Sequence, residues 1–152
     1  MKFAAETSVS AERSQEHIRS TLRRYGAGRF GLMEDPEGDS AVMFEIKGLT
    51  IRIGVPMPSR EESSMTPGGK RHRSTNVIDD KHAQAIRQRW RALLLAIKAK
   101  LEAVESGISS IEREFMPFVV MPDGRILAEH LEPKLTQMVT DGKMPKLLTV
   151  GC

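Results

Sequence analysis

Cysteine is almost missing from this chain: Cys152, the last residue, is the sole one. A lone thiol cannot close an internal disulfide, so nothing implies an oxidising compartment. Zinc sites that need two or more cysteines are excluded by count. Aromatic residues are scarce at 5%, so a core must rest on Ile, Leu, Val and the nine Met. Long apolar runs are missing as well. Met1-Lys2-Phe3-Ala4-Ala5-Glu6 lacks the apolar stretch of a signal peptide. Nothing approaches the roughly 20 apolar residues of a membrane helix; the longest run, Ala92 to Ile97, belongs to an amphipathic pattern. The expectation is a cytoplasmic protein without membrane contact.

Catalytic signatures are equally sparse. There is no HExxH, GxSxG or phosphate loop. Pro67-Gly68-Gly69-Lys70 lacks the GxxxxGK[ST] spacing and a strand feeding directly into it. The histidines His17, His72, His82 and His130 form no pair at the i, i+4 spacing of helical metal ligands. Glu129-His130 beside Pro122-Asp123-Gly124 is the sole acid–base pairing to consider, and surface residues explain it as well. No catalytic residue, metal ligand or cofactor is assigned.

What the chain does have is enough apolar sequence for a core: 152 residues, 39% of them hydrophobic and 28% charged, the size of one domain. A helix is expected from the Ser10 cap to about Tyr25, with Ile18, Leu22 and Tyr25 on one face and Gly26 as the stop. Three strands follow. Phe30 and Leu32 alternate, then Asp35-Pro36-Glu37-Gly38-Asp39 turns. Val42, Phe44 and Ile46 alternate, and Lys47-Gly48 makes a tight turn into Ile51, Ile53 and Val55. Pairing Phe44 with Ile51 puts both apolar sets on one face. It also sets Glu45 diagonal to Arg52, within reach of an ion pair. Residues 58–78 read as a flexible basic loop. From Asp79 to about Ser106, Ile86, Trp90, Leu93, Leu94, Ile97, Leu101 and Val104 recur at helical spacing, with Asp79 and Asp80 at the helix start. A C-terminal subdomain over 108–144 would begin with a Ser109–Glu112 capping box. A hairpin around Pro122-Asp123-Gly124 would follow, then a helix carrying Leu131, Leu135, Met138 and Val139 that Pro133 kinks or starts. Residues 145–152 read as a loose tail. The fold class is α+β: a three-stranded antiparallel meander packed on a long helix, in α-β-β-β-α order, with a small C-terminal helical subdomain.

Charge is unevenly placed. The net is +3, but Lys70 to Lys100 holds nine Lys or Arg against two acids, an excess of +7 that leaves −4 for the remainder. Lys70, Arg71 and Arg73 sit in the loop. Arg87, Arg91 and Lys98 share a helix face, and Arg89 and Lys100 lie on another flank. A row of cations suits the repeating phosphates of a nucleic acid, so these eight are the candidate contacts for DNA or RNA. A solvated helix face would also be charged, yet it would mix signs; from Lys81 to Lys100 there are six cations and no acid. Trp90, in the apolar stripe, is expected in the core rather than stacked on a base. Leu95 lies off the stripe and marks a second contact surface, for a second copy of the chain or a third layer of the fold; an acidic protein partner would use this surface or the basic patch. The alternative function is therefore an adaptor or inhibitor, and a third reading is an enzyme around Glu129 and His130.

The run Arg87-Gln88-Arg89-Trp90-Arg91-Ala92-Leu93 through Ile97-Lys98-Ala99-Lys100-Leu101-Glu102-Ala103-Val104-Glu105, with Met121-Pro122-Asp123-Gly124-Arg125 and the opening Thr7-Ser8-Val9-Ser10-Ala11-Glu12-Arg13-Ser14, resembles a group of small proteins of bacteriophages and prophages. The resemblance spans most of the chain. It implies a bacterial cytoplasm and a phage-related role in DNA metabolism or in countering host defence, and it brings no functional residue with it. The α-β-β-β-α order is similar to two nucleic-acid-binding topologies, the double-stranded-RNA-binding domain and the core of single-strand annealing proteins. The basic motif that opens the second helix of the former is absent, because Asp79-Asp80 stand there. Element order does not fix function.

Overall fold

The computed structural model describes residues 4–35, 38–64 and 74–147. The elements run α1 (Ala11–Arg24), β1 (Gly28–Glu34), β2 (Ser40–Ile46), β3 (Leu49–Val55), α2 (Arg60–Ser64), α3 (Thr75–Glu105), α4 (Ile111–Phe115), a 3-10 turn (Met116–Phe118) and α5 (Leu127–Asp141). The fold is α+β, with the expected α-β-β-β-α order and long helix.

Local chemistry sets most boundaries. The Ser10 hydroxyl accepts from Arg13 N–H, capping α1, and Gly26 follows it at φ +89°. Lys47 and Gly48 both take positive φ, 49° and 74°, as a two-residue hairpin turn demands. The turn pins the β2–β3 register at Ile46↔Leu49 and so pairs Phe44 with Ile51. The three strands form one antiparallel sheet in the order β1-β2-β3. β1 is less regular: pairing jumps from Gly28↔Glu45 to Gly31↔Met43, a bulge at which Arg29 has φ 43°.

Strand alternation sends Val42, Phe44, Ile46, Ile51, Ile53 and Val55 to one face of the sheet. There they meet Ile18 and Leu22 of α1 and Trp90, Leu94, Ile97 and Leu101 of α3, all buried. Ile111 and Phe115 of α4 close one end; the Phe115 ring meets Phe44 edge-on, centroids 5.6 Å apart. Trp90 is 2% exposed.

Several expectations change. Part of the span read as loop is helical. α2 forms because Ser59 Oγ accepts from Glu62 N–H, and Glu61 and Glu62 suit a helix start. α3 begins one turn early, at the Ser74 cap, so Asp79 sits in the second turn, where it pairs with Arg60. The capping serine of α4 is Ser110, not Ser109: Ser110 Oγ accepts from Arg113 N–H, while Ser109 N–H is already bonded to Ala103 C=O in the close of α3. The ion pair foreseen between Glu45 and Arg52 is not made. Glu45 pairs with Arg29 of β1 at 3.2 Å, and Arg52 faces Glu129 at 4.0 Å. The hairpin near Asp123 forms through the single bridge Val120↔Ile126, and its first arm touches the edge of the sheet at β3 through Ile51↔Val119.

Pro133 lies inside α5 rather than at its start. Lacking an N–H, it leaves the carbonyl of Glu129 without its helical donor. Arg125 Nη2 supplies one at 3.0 Å. Gly142 (φ 63°) ends the helix. The stretch read as loose is tied down as far as Leu147: Lys134 Nζ donates to the carbonyls of Lys146 (3.0 Å) and Leu147 (2.7 Å).

Candidate nucleic-acid interface

Three of the eight cations singled out, Lys70, Arg71 and Arg73, lie outside the described residues, as does most of the basic loop. The other five are on α3. At about 100° per residue, Arg87, Arg91 and Lys98 fall within an arc of about 40° and extend about 16 Å along the axis. Arg89 and Lys100 lie on roughly the opposite flank. The five therefore form two groups, not one surface.

The first group lies beside α1. Tyr25 OH donates to Glu105, and Gln84 Nε2 donates to the carbonyls of Ala5 (3.1 Å) and Thr7 (3.0 Å). The N-terminal arm ahead of α1, at Ala5 and Thr7, and the C-cap of α1 are thus fixed along the flank of α3 that carries Gln84, Arg87 and Glu105, and the two helices run parallel. Buried Ser14 and Thr21 keep this side of α1 narrow. Exposed Arg13 and Arg24, eleven residues apart, share one azimuth of α1. The cationic line stops near the end of α3, where Glu102 and Glu105 take over. Glu105 pushes the Tyr25 hydroxyl above its ordinary value of 10.0, chiefly through their hydrogen bond.

Arg87 is held by an uncharged neighbour. Gln84 Oε1 accepts from Arg87 Nε (3.1 Å) and Nη2 (2.6 Å) while its amide nitrogen holds the two backbone carbonyls. A glutamate there would cancel the guanidinium charge; the glutamine fixes it and leaves it net positive. Among the described residues, Arg87, Arg91 and Lys98 form no ion pair. Gln84 is the residue that sequence reasoning missed. Its i, i+3 spacing to Arg87 was visible, but the carbonyls that anchor it lie 77 and 79 positions away.

The second group is different. Lys100 Nζ sits 3.6 Å from Glu114 and 5.7 Å from the centroid of Phe118, so it ties α3 to the segment around α4. Arg89 is exposed on the rim of an open groove of about 840 Å³ between α3, α2 and Ala4–Ala5, lined by Ala85, Ala92 and Leu95 with Lys81 and Glu62 also at its edge. This is where Leu95 sits. A second cleft, about 850 Å³, opens between α1, the β1–β2 turn and α3, with Glu12, Glu34 and Asp39 on its walls and His82 and Trp90 on the α3 side. Its acidic walls would repel phosphate.

His130 is engaged structurally. Its Nε2 lies 2.9 Å from Asp123 Oδ2. Asp123 Oδ1 accepts from Arg125 N–H, and Glu129 Oε2 accepts from Ile126 N–H. These contacts fasten the hairpin to the start of α5, and none reaches a hydroxyl or thiol. The Arg125 N–H and then His130 hold the Asp123 carboxyl below its ordinary 3.8. No group of three or more potential metal ligands occurs among the described residues, and no helix among them is long and apolar enough to cross a membrane.

No family model, curated protein or solved structure matches the chain.

Proposed function

We propose that the chain binds nucleic acid through its phosphate backbone, with low sequence specificity. The observation that carries this reading is the line Arg87, Arg91 and Lys98: three cations along one flank of a rigid helix, without acidic partners among the described residues, the first held by a neutral anchor. Charges placed in a row along a helix suit a polymer of regularly spaced phosphates. Lys70, Arg71 and Arg73 add contacts beyond the helix, while Arg89, on the far flank, lies off this line. Base stacking has little support among the described residues. Trp90, Phe44 and Phe115 are buried, Tyr25 is bonded to Glu105, and Phe30 and Phe118 lie under Arg19 and Lys100. The setting we read for it, on the sequence resemblance, is a phage-related role in a bacterial cytoplasm.

Fluorescence anisotropy with labelled single- and double-stranded DNA and RNA tests this. The three helix contacts alone predict affinity about 40-fold weaker at 200 mM than at 50 mM salt, from a slope of about −0.9 per contact, and each loop contact steepens it. Replacing Arg87, Arg91 and Lys98 together with Ala should abolish most binding, and replacing Lys70, Arg71 and Arg73 should weaken it further. Binding by the folded triple variant at wild-type strength would sink the reading.

One observation favours a second reading, an adaptor for an acidic protein partner. The groove beside Leu95 offers an apolar floor with Lys81 and Arg89 at its rim. An interface with an apolar centre should respond less steeply to salt than backbone binding.

A further inference from the structure

The hydrogen bonds around Arg87 say more about the ligand than its charge does. A guanidinium carries five N–H groups in a plane. Gln84 Oε1 takes one from Nε and one from Nη2, which occupies the side-on edge of the fork. The end-on edge, formed by Nη1 and the second hydrogen of Nη2, has no partner among the described residues. The fork is also fixed in orientation, because Gln84 is itself tied to Ala5 and Thr7.

We infer that Arg87 is a pre-set clamp for a group with two adjacent anionic oxygens, and that Gln84 and the Ala5–Thr7 carbonyls are its positioning residues. This rests on the nucleic-acid reading, and it names the chemistry of one contact: two parallel N–H···O bonds from the end-on edge to the two free oxygens of one phosphodiester. A point charge cannot do this. Lysine offers a compact ammonium with no planar fork, whereas arginine is matched to phosphate in two places at once. Arg91 and Lys98 have no such anchor among the described residues, so they act as plain cations. The arrangement also makes Ala5 and Thr7, ahead of α1, part of the binding surface, although their carbonyls supply no formal charge to the contact.

The separating experiment compares charge-conserving variants of the full chain in the anisotropy assay, with circular dichroism to confirm folding. Arg87→Lys should weaken binding roughly tenfold, although it retains the charge. Arg91→Lys and Lys98→Arg should stay within about twofold. Gln84→Ala frees the guanidinium, so it should lower affinity several-fold while the salt slope is unaltered. Gln84→Glu neutralises it, so the slope should shrink by about one contact. If wild type binds and Arg87→Lys matches it in affinity and slope, the clamp is wrong and the phosphate reading survives. If wild type binds none of the probes at 50 mM salt, the phosphate reading itself has failed.

Discussion

Helices α3 and α5 carry the same kind of message in sequence and meet different fates. Both place apolar residues at i, i+4 and i+7: Trp90, Leu94, Ile97 and Leu101 in one, Leu131, Leu135 and Met138 in the other. In α3 those four are buried against the sheet and α1. In α5 no residue is buried, and Leu135 and Val139 are 51% and 85% exposed. Periodicity tells which side of a helix is apolar. Whether anything lies opposite that side depends on the rest of the fold. For α3 the meander supplies the opposite surface, whereas α5 leans on the 3-10 turn and on polar ties.

The difference can be broken or sharpened, starting with the largest effect. Leu94→Ala should cost about 2–5 kcal/mol of stability, because it leaves a cavity in a packed core. Leu135→Ala should stay within about 0.5 kcal/mol. Urea unfolding measures both, and equal losses would mean that the apolar side of α5 is covered in solution. Next, native-state hydrogen exchange should show amides from Leu94 to Leu101 opening only with global unfolding, while α5 opens at lower free energy. Matching protection in the two helices would erase the contrast.

A smaller effect concerns the fastening of α5. The carboxyl of Asp123 titrates below its ordinary 3.8 in the folded chain, owing first to Arg125 N–H and then to His130. A depressed folded pKa contributes stability that is fully present above the unfolded value of about 3.9 and is lost as pH falls through the folded one. Asp123→Asn should therefore flatten the stability profile below about pH 4, measured by thermal melts across pH 2–6. A slope equal to wild type's would show that this contact does not differ between the folded and unfolded states.

Much of the fold was legible because its signals are local. Ser10 and Gly26 bracket α1, Lys47-Gly48 sets the hairpin register, and the Trp90 stripe marks the buried side of α3. Helix α2 was legible in principle: Ser59-Arg60-Glu61-Glu62 fits the serine-x-x-glutamate start pattern, but the surrounding Pro, Ser and Gly read as loop. Other features depend on residues far apart in the chain. Glu45 takes Arg29 rather than Arg52 because the β1 bulge brings that arginine alongside. Val119 joins β3 only once the chain has turned at α4. At the candidate interface, spacing separated Arg87, Arg91 and Lys98 from Arg89 and Lys100. It could not show that Lys100 is occupied by Glu114, or that Gln84 orients Arg87 through the N-terminal arm.

The irregularity in β1 bears on how the chain behaves in company. β1 is an outer strand of the sheet, and an unbroken outer strand is a template on which a neighbouring chain can polymerise. The displaced pairing at Gly28–Gly31 interrupts the ladder, leaving only the short run to Glu34 in regular geometry. Restoring that regularity by deleting one residue of the bulge would trade a self-limiting border for an adhesive one, and light scattering of concentrated samples would register the change.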